Sequence, residues 1–393
     1  MSISIWPRIW LSWPGPSMAD DTLPEADRIG PHAHPRETAH LVGQHRAEQQ
    51  FLDAWRSGRL HHAWLLRGPS GIGKATLAYR IARALIAQPP EDGLFGAPEI
   101  PETLDAQPDC PVQARFIAQS EPRLFVLRRE VNDQGRLQTQ IAVDRVRAMR
   151  GFLQLSAADG GWRAIIVDPA DELNTAAANA LLKYLEEPPA QTVFLLVCHA
   201  PARLLPTIRS RCRTLDLGPL GPPDLAAAME AHEVDVPNAA EVPLAELSAG
   251  SVGRALQLVA GDGLAAYAAL VQMLGQGQGV DRRAMMQVAD GCAGRNAAER
   301  YRLVLDLVLL LIARLARAGA SGQVPPEAAP GEGALIARAA SQPAQGRLWA
   351  EKLSHLSART RHAVAVNLDP AQVVVDILLE IDATLAQSRT VAA

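Results

Sequence analysis

Gly68, Gly73 and Lys74 stand in the spacing G-x-x-x-x-G-K, between a short apolar run and a stretch of helical period. Those residue types suit phosphate chemistry. Backbone N–H groups of a glycine-rich turn at a helix N-terminus, with a lysine ammonium beside them, converge on nucleotide phosphates. Gly71 lies inside the same turn. The motif then departs from its usual form. Where a Ser or Thr hydroxyl would ligate Mg²⁺ the chain has Ala75, and the nearest hydroxyl comes one position late, at Thr76.

Two further stretches bear on the same chemistry. In WRAIIVDPADEL, residues 162–173, an apolar run ends in Asp168, as in strands that present a carboxylate to Mg²⁺ in P-loop enzymes. A hydrolysing site would follow that Asp with a water-polarising Glu, but the chain has Pro169, and Glu172 comes only after the turn has left the strand end. In PTIRSRCR, residues 206–213, a short helix is expected to carry Arg209, Ser210, Arg211 and Cys212 just ahead of a strand over 213–217. An arginine there points away from its own phosphate loop and can project across a subunit boundary. Its planar guanidinium stabilises transferring phosphoryl charge and keeps its proton.

The elements that must hold these groups read as follows. A helix carrying Phe51, Ala54 and Trp55 on one face follows Leu41-Val42-Gly43-Gln44. Strands are expected over 63–66, 124–128, 164–168 and 192–198, with helices from about Lys74, from Asp144, and over 176–187 capped by Asn174 or Thr175. Residues 91–122 read as an irregular Pro-rich insertion, and His199 as a surface turn residue. Arg123, Arg128, Arg129, Arg145, Arg147 and Arg150 make one section locally basic; phosphate contact is one option and a solvated helix face the preferred one.

Composition limits the rest. The formal net charge of −4 over 393 residues excludes a basic nucleic-acid binder overall, so any DNA contact is local. With only 4 % aromatics among 48 % hydrophobics, Ala- and Leu-rich helices are favoured over sheet sandwiches. Cys110, Cys198, Cys212 and Cys292 form no C-x-x-C pair; that argues against zinc and for a reducing cytoplasm. The longest apolar run, 303–316, contains Asp306 and Arg314 and falls short of the ~20 residues a bilayer requires, so no membrane partner is expected. Pro7 and Arg8 break what would otherwise look like a signal peptide, and a start at Met18 is the alternative to Met1.

These patterns divide the chain into residues 1–35, a disordered extension; 36–218, an α/β P-loop domain with a parallel sheet; 219–262, a small helical lid; and 263–393, an all-helical collar. The break falls at GPLGPP, residues 218–223.

The succession of phosphate loop, WRAIIVDPADELN, NALLKYLEEPP, FLLVCHAPARLLPTIRSRC, lid and helical C-terminus resembles the AAA+ subunits of bacterial clamp loaders, in particular the delta-prime family of the DNA polymerase III holoenzyme. Specific motifs cover residues 41–261, with weaker ones such as Asn367-Leu-Asp-Pro370 beyond. The resemblance implies a subunit of a five-membered ring joined by a collar of C-terminal domains. Its partners would be motor subunits, the delta subunit, the sliding clamp and primer-template DNA. It also implies that Arg211 is an arginine finger offered to a neighbour's ATP site. Two departures stand out: the four-cysteine zinc module of many relatives is missing around Cys110, and Gly253, followed by Arg254, occupies the place of the lid arginine that senses nucleotide.

The expectation is therefore a largely non-catalytic accessory subunit of the polymerase holoenzyme. Gly68, Gly71, Gly73, Lys74, Thr76 and Asp168 would form a degenerate nucleotide site, binding ATP or ADP weakly and requiring no cofactor. The alternative is an active AAA+ ATPase, a motor subunit or helicase-type loader, in which Thr76 rescues metal binding.

Overall fold

A computed structural model of the chain describes residues 25, 27, 28, 32–38, 40–89, 100–105, 110–132, 135–155, 161–276, 279–294 and 297–392. Five parallel strands, β1 Ala63–Arg67, β2 Leu124–Leu127, β3 Arg163–Val167, β4 Thr192–Cys198 and β5 Arg213–Asp216, form one sheet in the order β2-β3-β4-β1-β5. All seven residues of β4 are buried, as a continuous apolar run covered on both faces must be. Register sets Leu65 of β1 beside Leu196 of β4 and Ile165 of β3 beside Phe194.

Alternation along the strands feeds two cores. Trp64, Leu66, Leu195 and Val197 pack with α1 His45–Arg56, α2 Lys74–Ala87 and α3 Pro111–Ile117. Leu65, Ile165, Phe194 and Leu196 pack with α4 Val143–Leu155, α5 Thr175–Glu186 and α6 Pro206–Arg209. Asn174 caps α5, its side chain accepting from the Ala177 N–H at 2.8 Å. Because every strand is parallel, all carboxyl ends share one edge, and the loops that follow β1, β3 and β4 gather there.

The remaining helices are α7 Pro222–Glu230, α8 Asn238–Ser248, α9 Val252–Ala260, α10 Gly263–Gly275, α11 Arg282–Asp290, α12 Ala298–Ser321, α13 Glu332–Ala339, α14 Pro343–Ala365 and α15 Pro370–Ala392. Their apolar stripes meet in a single cluster from Leu220 to Leu385, so α7–α9 and the later helices share one core. Inside it Arg314 is paired with Glu332 and Glu246 at 2.6 and 2.7 Å, and Tyr267 donates to Glu332 at 2.6 Å. No single helix among the described residues is long and apolar enough to cross a membrane.

Several expectations need correction. Residues 111–117 form α3 inside the stretch read as irregular, with Val112 and Phe116 buried one turn apart. The extension read as disordered up to residue 35 is packed from Glu25 onward in its described residues, His34 being fully buried; the rest of it lies outside the described residues. Helix α6 stops at Arg209, which leaves Arg211 and Cys212 in the turn that enters β5.

Candidate functional site

The turn after β1 bends because its glycines hold left-handed backbone. Gly71 and Gly73 have φ of +75° and +97°. A Cβ on Gly68 would meet the Leu217 carbonyl oxygen at 2.4 Å, so that glycine serves close approach of the β5 end rather than ligand contact. Gln44 braces the turn, its amide donating to the carbonyls of Ile72 (3.3 Å) and Gly218 (2.8 Å). Chain order gave no sign of that brace; a lone polar amide just ahead of a helix was its only trace.

Beside the turn lies a cavity of about 300 Å³, near the lower end for small-molecule sites. Gly71, Gly73, Lys74, Thr76 and Asp168 all line it, whereas Gly68 and Arg211 do not. Its lining mixes apolar residues, among them Val42, Ile72, Ala228 and Leu256, with the polar group Lys74, Asp168, Glu172, Arg129 and His199.

The polar group is tied to itself. The Lys74 ammonium donates to the Gly68 carbonyl at 2.8 Å and also to that of Pro69. Burial lowers its pKa to about 8 despite the opposing charge of Asp168. Burial, with Asp27 nearby, raises the Asp168 carboxyl to about 7. Glu172 is paired with Arg129 at 2.9 Å. Asp171 holds the turn after β4, accepting from the His199 and Ala200 N–H groups at 2.9 and 3.2 Å.

His199 is thereby drawn into the cavity, which corrects the surface reading. Burial, helped by the Lys74 charge, lowers its pKa to about 4 and keeps the imidazole neutral. Groups able to cradle phosphate are present in the loop amides and Lys74, so a nucleotide fits in part. At the position where a hydroxyl would reach a metal ion, Ala75 offers no oxygen, which leaves Asp168 as the lining carboxylate whose charge acts most on the loop lysine.

The lid is fastened directly to the loop. The Gly253 N–H donates to the Gly71 carbonyl at 2.9 Å, and the Ser251 hydroxyl donates to the Ser70 carbonyl at 2.9 Å. A Cβ on Gly71 would meet Ser251 Oγ at 2.5 Å and Gly253 Cα at 3.0 Å, so the loop side of this contact needs glycine.

Arg211 has a different setting. It lies on the surface beside the last turn of α5, its guanidinium paired with Glu186 at 2.7 Å and donating to the Thr207 carbonyl at 3.0 Å. The basic section is also accounted for within the chain. Arg123, Arg128, Arg129, Arg145 and Arg147 pair with Glu121, Asp27, Glu172, Glu130 and Asp144, respectively. Arg150 is exposed.

Comparison with known proteins places this geometry. Residues 43–221 match the family described as DNA polymerase III, delta subunit. The chain is 39 % identical to the DNA polymerase III subunit delta' of Pseudomonas aeruginosa over 211 residues, 53 % of this chain and 58 % of that one. Against the Escherichia coli subunit delta' it is 35 % identical over 226 residues, 58 % of this chain and 63 % of that one. The Escherichia coli subunit tau is 30 % identical over 253 residues, 61 % of this chain but 36 % of its own length. The match therefore spans less than two thirds of each of these relatives. Over residues 43–221, which carry the phosphate loop, the sheet and Arg211, the chain is thus similar to the DNA polymerase III delta' subunits.

Proposed function

We propose that this chain is a largely non-hydrolysing ring subunit of a DNA polymerase III clamp loader, one that scaffolds the complex and lends Arg211 to a neighbouring ATP site while the sliding clamp is loaded. Motor subunits, the delta subunit, the clamp and primer-template DNA are the partners this role requires, and the cytoplasm is its setting. The observation that carries the reading is a contrast within one domain. Lys74 is turned onto its own loop carbonyls in a cavity that has Ala75 and Pro169 at the metal and water positions. Arg211 lies outside that cavity, held by the Glu186 carboxylate and the Thr207 carbonyl in a half-exposed setting.

At a neighbour's site the guanidinium would meet charge developing on the transferring phosphoryl oxygens. Losing one such donor costs on the order of 10²–10³ in rate. Nucleotide turnover by the purified chain should be negligible, and Arg211→Ala in the reconstituted complex should lower DNA-stimulated turnover by about that factor. Unchanged turnover would remove the role given to Arg211.

The second reading, an active ATPase, draws on the Thr76 side chain, which does line the cavity. It requires robust turnover by the isolated chain, abolished by Lys74→Ala.

A further inference from the structure

We infer that the described residues of the segment 25–38 form an intrachain strap that closes the phosphate-loop cavity, and that a nucleoside triphosphate reaches the loop only when this strap is displaced. The segment precedes residues 43–221, the part matched to the family, and the inference stands whether or not Arg211 acts on a neighbour.

The described residues of the strap line the cavity and touch both the sheet side and the lid side of it. On the sheet side the Asp27 carboxylate, 3 % exposed, pairs with Arg128 just beyond β2 at 2.7 Å and lies 3.4 Å from the Tyr79 hydroxyl of α2. Arg128 also reaches Glu25 at 3.1 Å. On the lid side the ring of His32 meets that of His232, just past α7, edge to face at 6.3 Å. Between these ends Arg28, Pro35 and Thr38 line the cavity.

Within the strap, acids and bases are matched. Arg36 pairs with Glu25 at 2.8 Å and Arg28 with Glu37 at 2.9 Å. His34 is fully buried against the edge of Tyr79. Its Nδ1 accepts the Arg36 N–H at 3.1 Å, and its Nε2 lies 3.0 Å from the Asp27 carboxylate.

The chemistry of this cover opposes a polyphosphate. It sets the Asp27 carboxylate in the same lining as Asp168 and near enough to raise that carboxyl's pKa. The lining guanidinia of Arg28 and Arg129 are already held by Glu25, Glu37 and Glu172, so an incoming phosphate finds two acids and no uncommitted arginine among the described residues of this lining. The ammonium that would balance them is engaged by the Gly68 and Pro69 carbonyls. When a binding-competent state is only fractionally populated, apparent affinity falls by that fraction, and a strap closed about nine-tenths of the time lowers it about tenfold.

The test is a titration of the full chain with a fluorescent ATP analogue, with and without Mg²⁺. It is repeated for the chain lacking residues 1–38, for Asp27→Asn with His34→Gln, and for each of these with Lys74→Ala. The deletion should tighten binding at least about tenfold, the double variant less, and Lys74→Ala should abolish both gains. Limited trypsin digestion of the unaltered chain covers the case of a deletion that does not fold: saturating analogue should speed cleavage at Arg28 and Arg36. Equal affinity in a folded deletion, or cleavage at those arginines indifferent to the analogue, would overturn the strap.

Discussion

Lys74 and Arg211 are both cations suited to phosphoryl oxygens, yet releasing them costs different amounts. Lys74 is 2 % exposed, and freeing its ammonium breaks two charge-assisted bonds worth roughly 1.5–3 kcal/mol each. Arg211 is held by the Thr207 carbonyl and by Glu186, but both contacts are open to water. The Arg211 and Glu186 side chains are 36 % and 49 % exposed, such a pair is worth about 0–1 kcal/mol, and water can replace the carbonyl bond as the guanidinium leaves. A passing phosphate can therefore draw Arg211 from its partner, whereas Lys74 yields only to a ligand that rebuilds its surroundings. The difference teaches that a retained motif is no measure of a working site. What the local partners already hold decides it.

The strongest way to break this contrast is to delete each cation in the assembled complex. Arg211→Ala should lower turnover on the order of 10²–10³, while Lys74→Ala should leave it within about twofold. Equal losses would mean that both cations work and that the cavity is a functioning site.

Protonation probes the closed cavity next. His199 titrates at about 4 in the fold against 6.5 when unfolded. A lowered histidine pKa means that the unfolded chain binds the proton first, so stability is lost as pH falls from about 6.5 towards 4. At roughly 1.4 kcal/mol per pKa unit, His199 accounts for up to about 3.5 kcal/mol at the acid end. Urea unfolding of His199→Gln should show a shallower acid limb than the unaltered chain and coincide with it in shape above pH 7. Parallel limbs would mean that the imidazole is open to water.

The lid contact is smaller still. Gly71→Ala places a Cβ 2.5 Å from Ser251 Oγ at a φ of +75°, a combination expected to cost about 2 kcal/mol. Thermal melting should report that loss, and amide exchange should quicken at Gly253. Unaltered protection there would detach the lid from the loop and loosen the idea of a shut cavity.

Much of this was legible along the chain, for physical reasons that differ by element. The strands announced themselves because a parallel strand buried on both faces must be continuously apolar, as β4 is. The loop showed through its glycines, since two of them adopt backbone that other residues avoid. The missing hydroxyl at Ala75 and the missing acid at Pro169 are facts of composition at fixed spacing.

The strap was not legible. Its holding contacts join charges as far apart as Asp27 and Arg128, 101 positions, and no period or turn signal records such a pair. His199 was misplaced because a turn residue normally faces water, and only Asp171, from another loop, draws this one inward. Gly253 looked like a lost arginine. In the fold its backbone N–H ties the lid to the Gly71 carbonyl of the loop. The short helix α3 was hidden by Pro111, which reads as a breaker although a proline is well suited to the first turn of a helix.

The smallest effect gives the sharpest division between the two cations. If Arg211 is held only loosely, Glu186→Gln removes its charge partner while preserving the shape of the α5 terminus. An exposed pair contributes at most about 1 kcal/mol, so the isolated chain should melt within a degree or two of the original. In the complex, freeing the guanidinium should raise turnover slightly, less than about threefold, because the carboxylate no longer competes with phosphate for it. Turnover that falls as far as in Arg211→Ala would mean instead that Glu186 orients the arginine, making the pair a single rigid device. Raising the salt separates these outcomes again: screening should narrow the gap between Glu186→Gln and the unaltered chain if the carboxylate only competes, and leave it intact if the carboxylate aims the guanidinium.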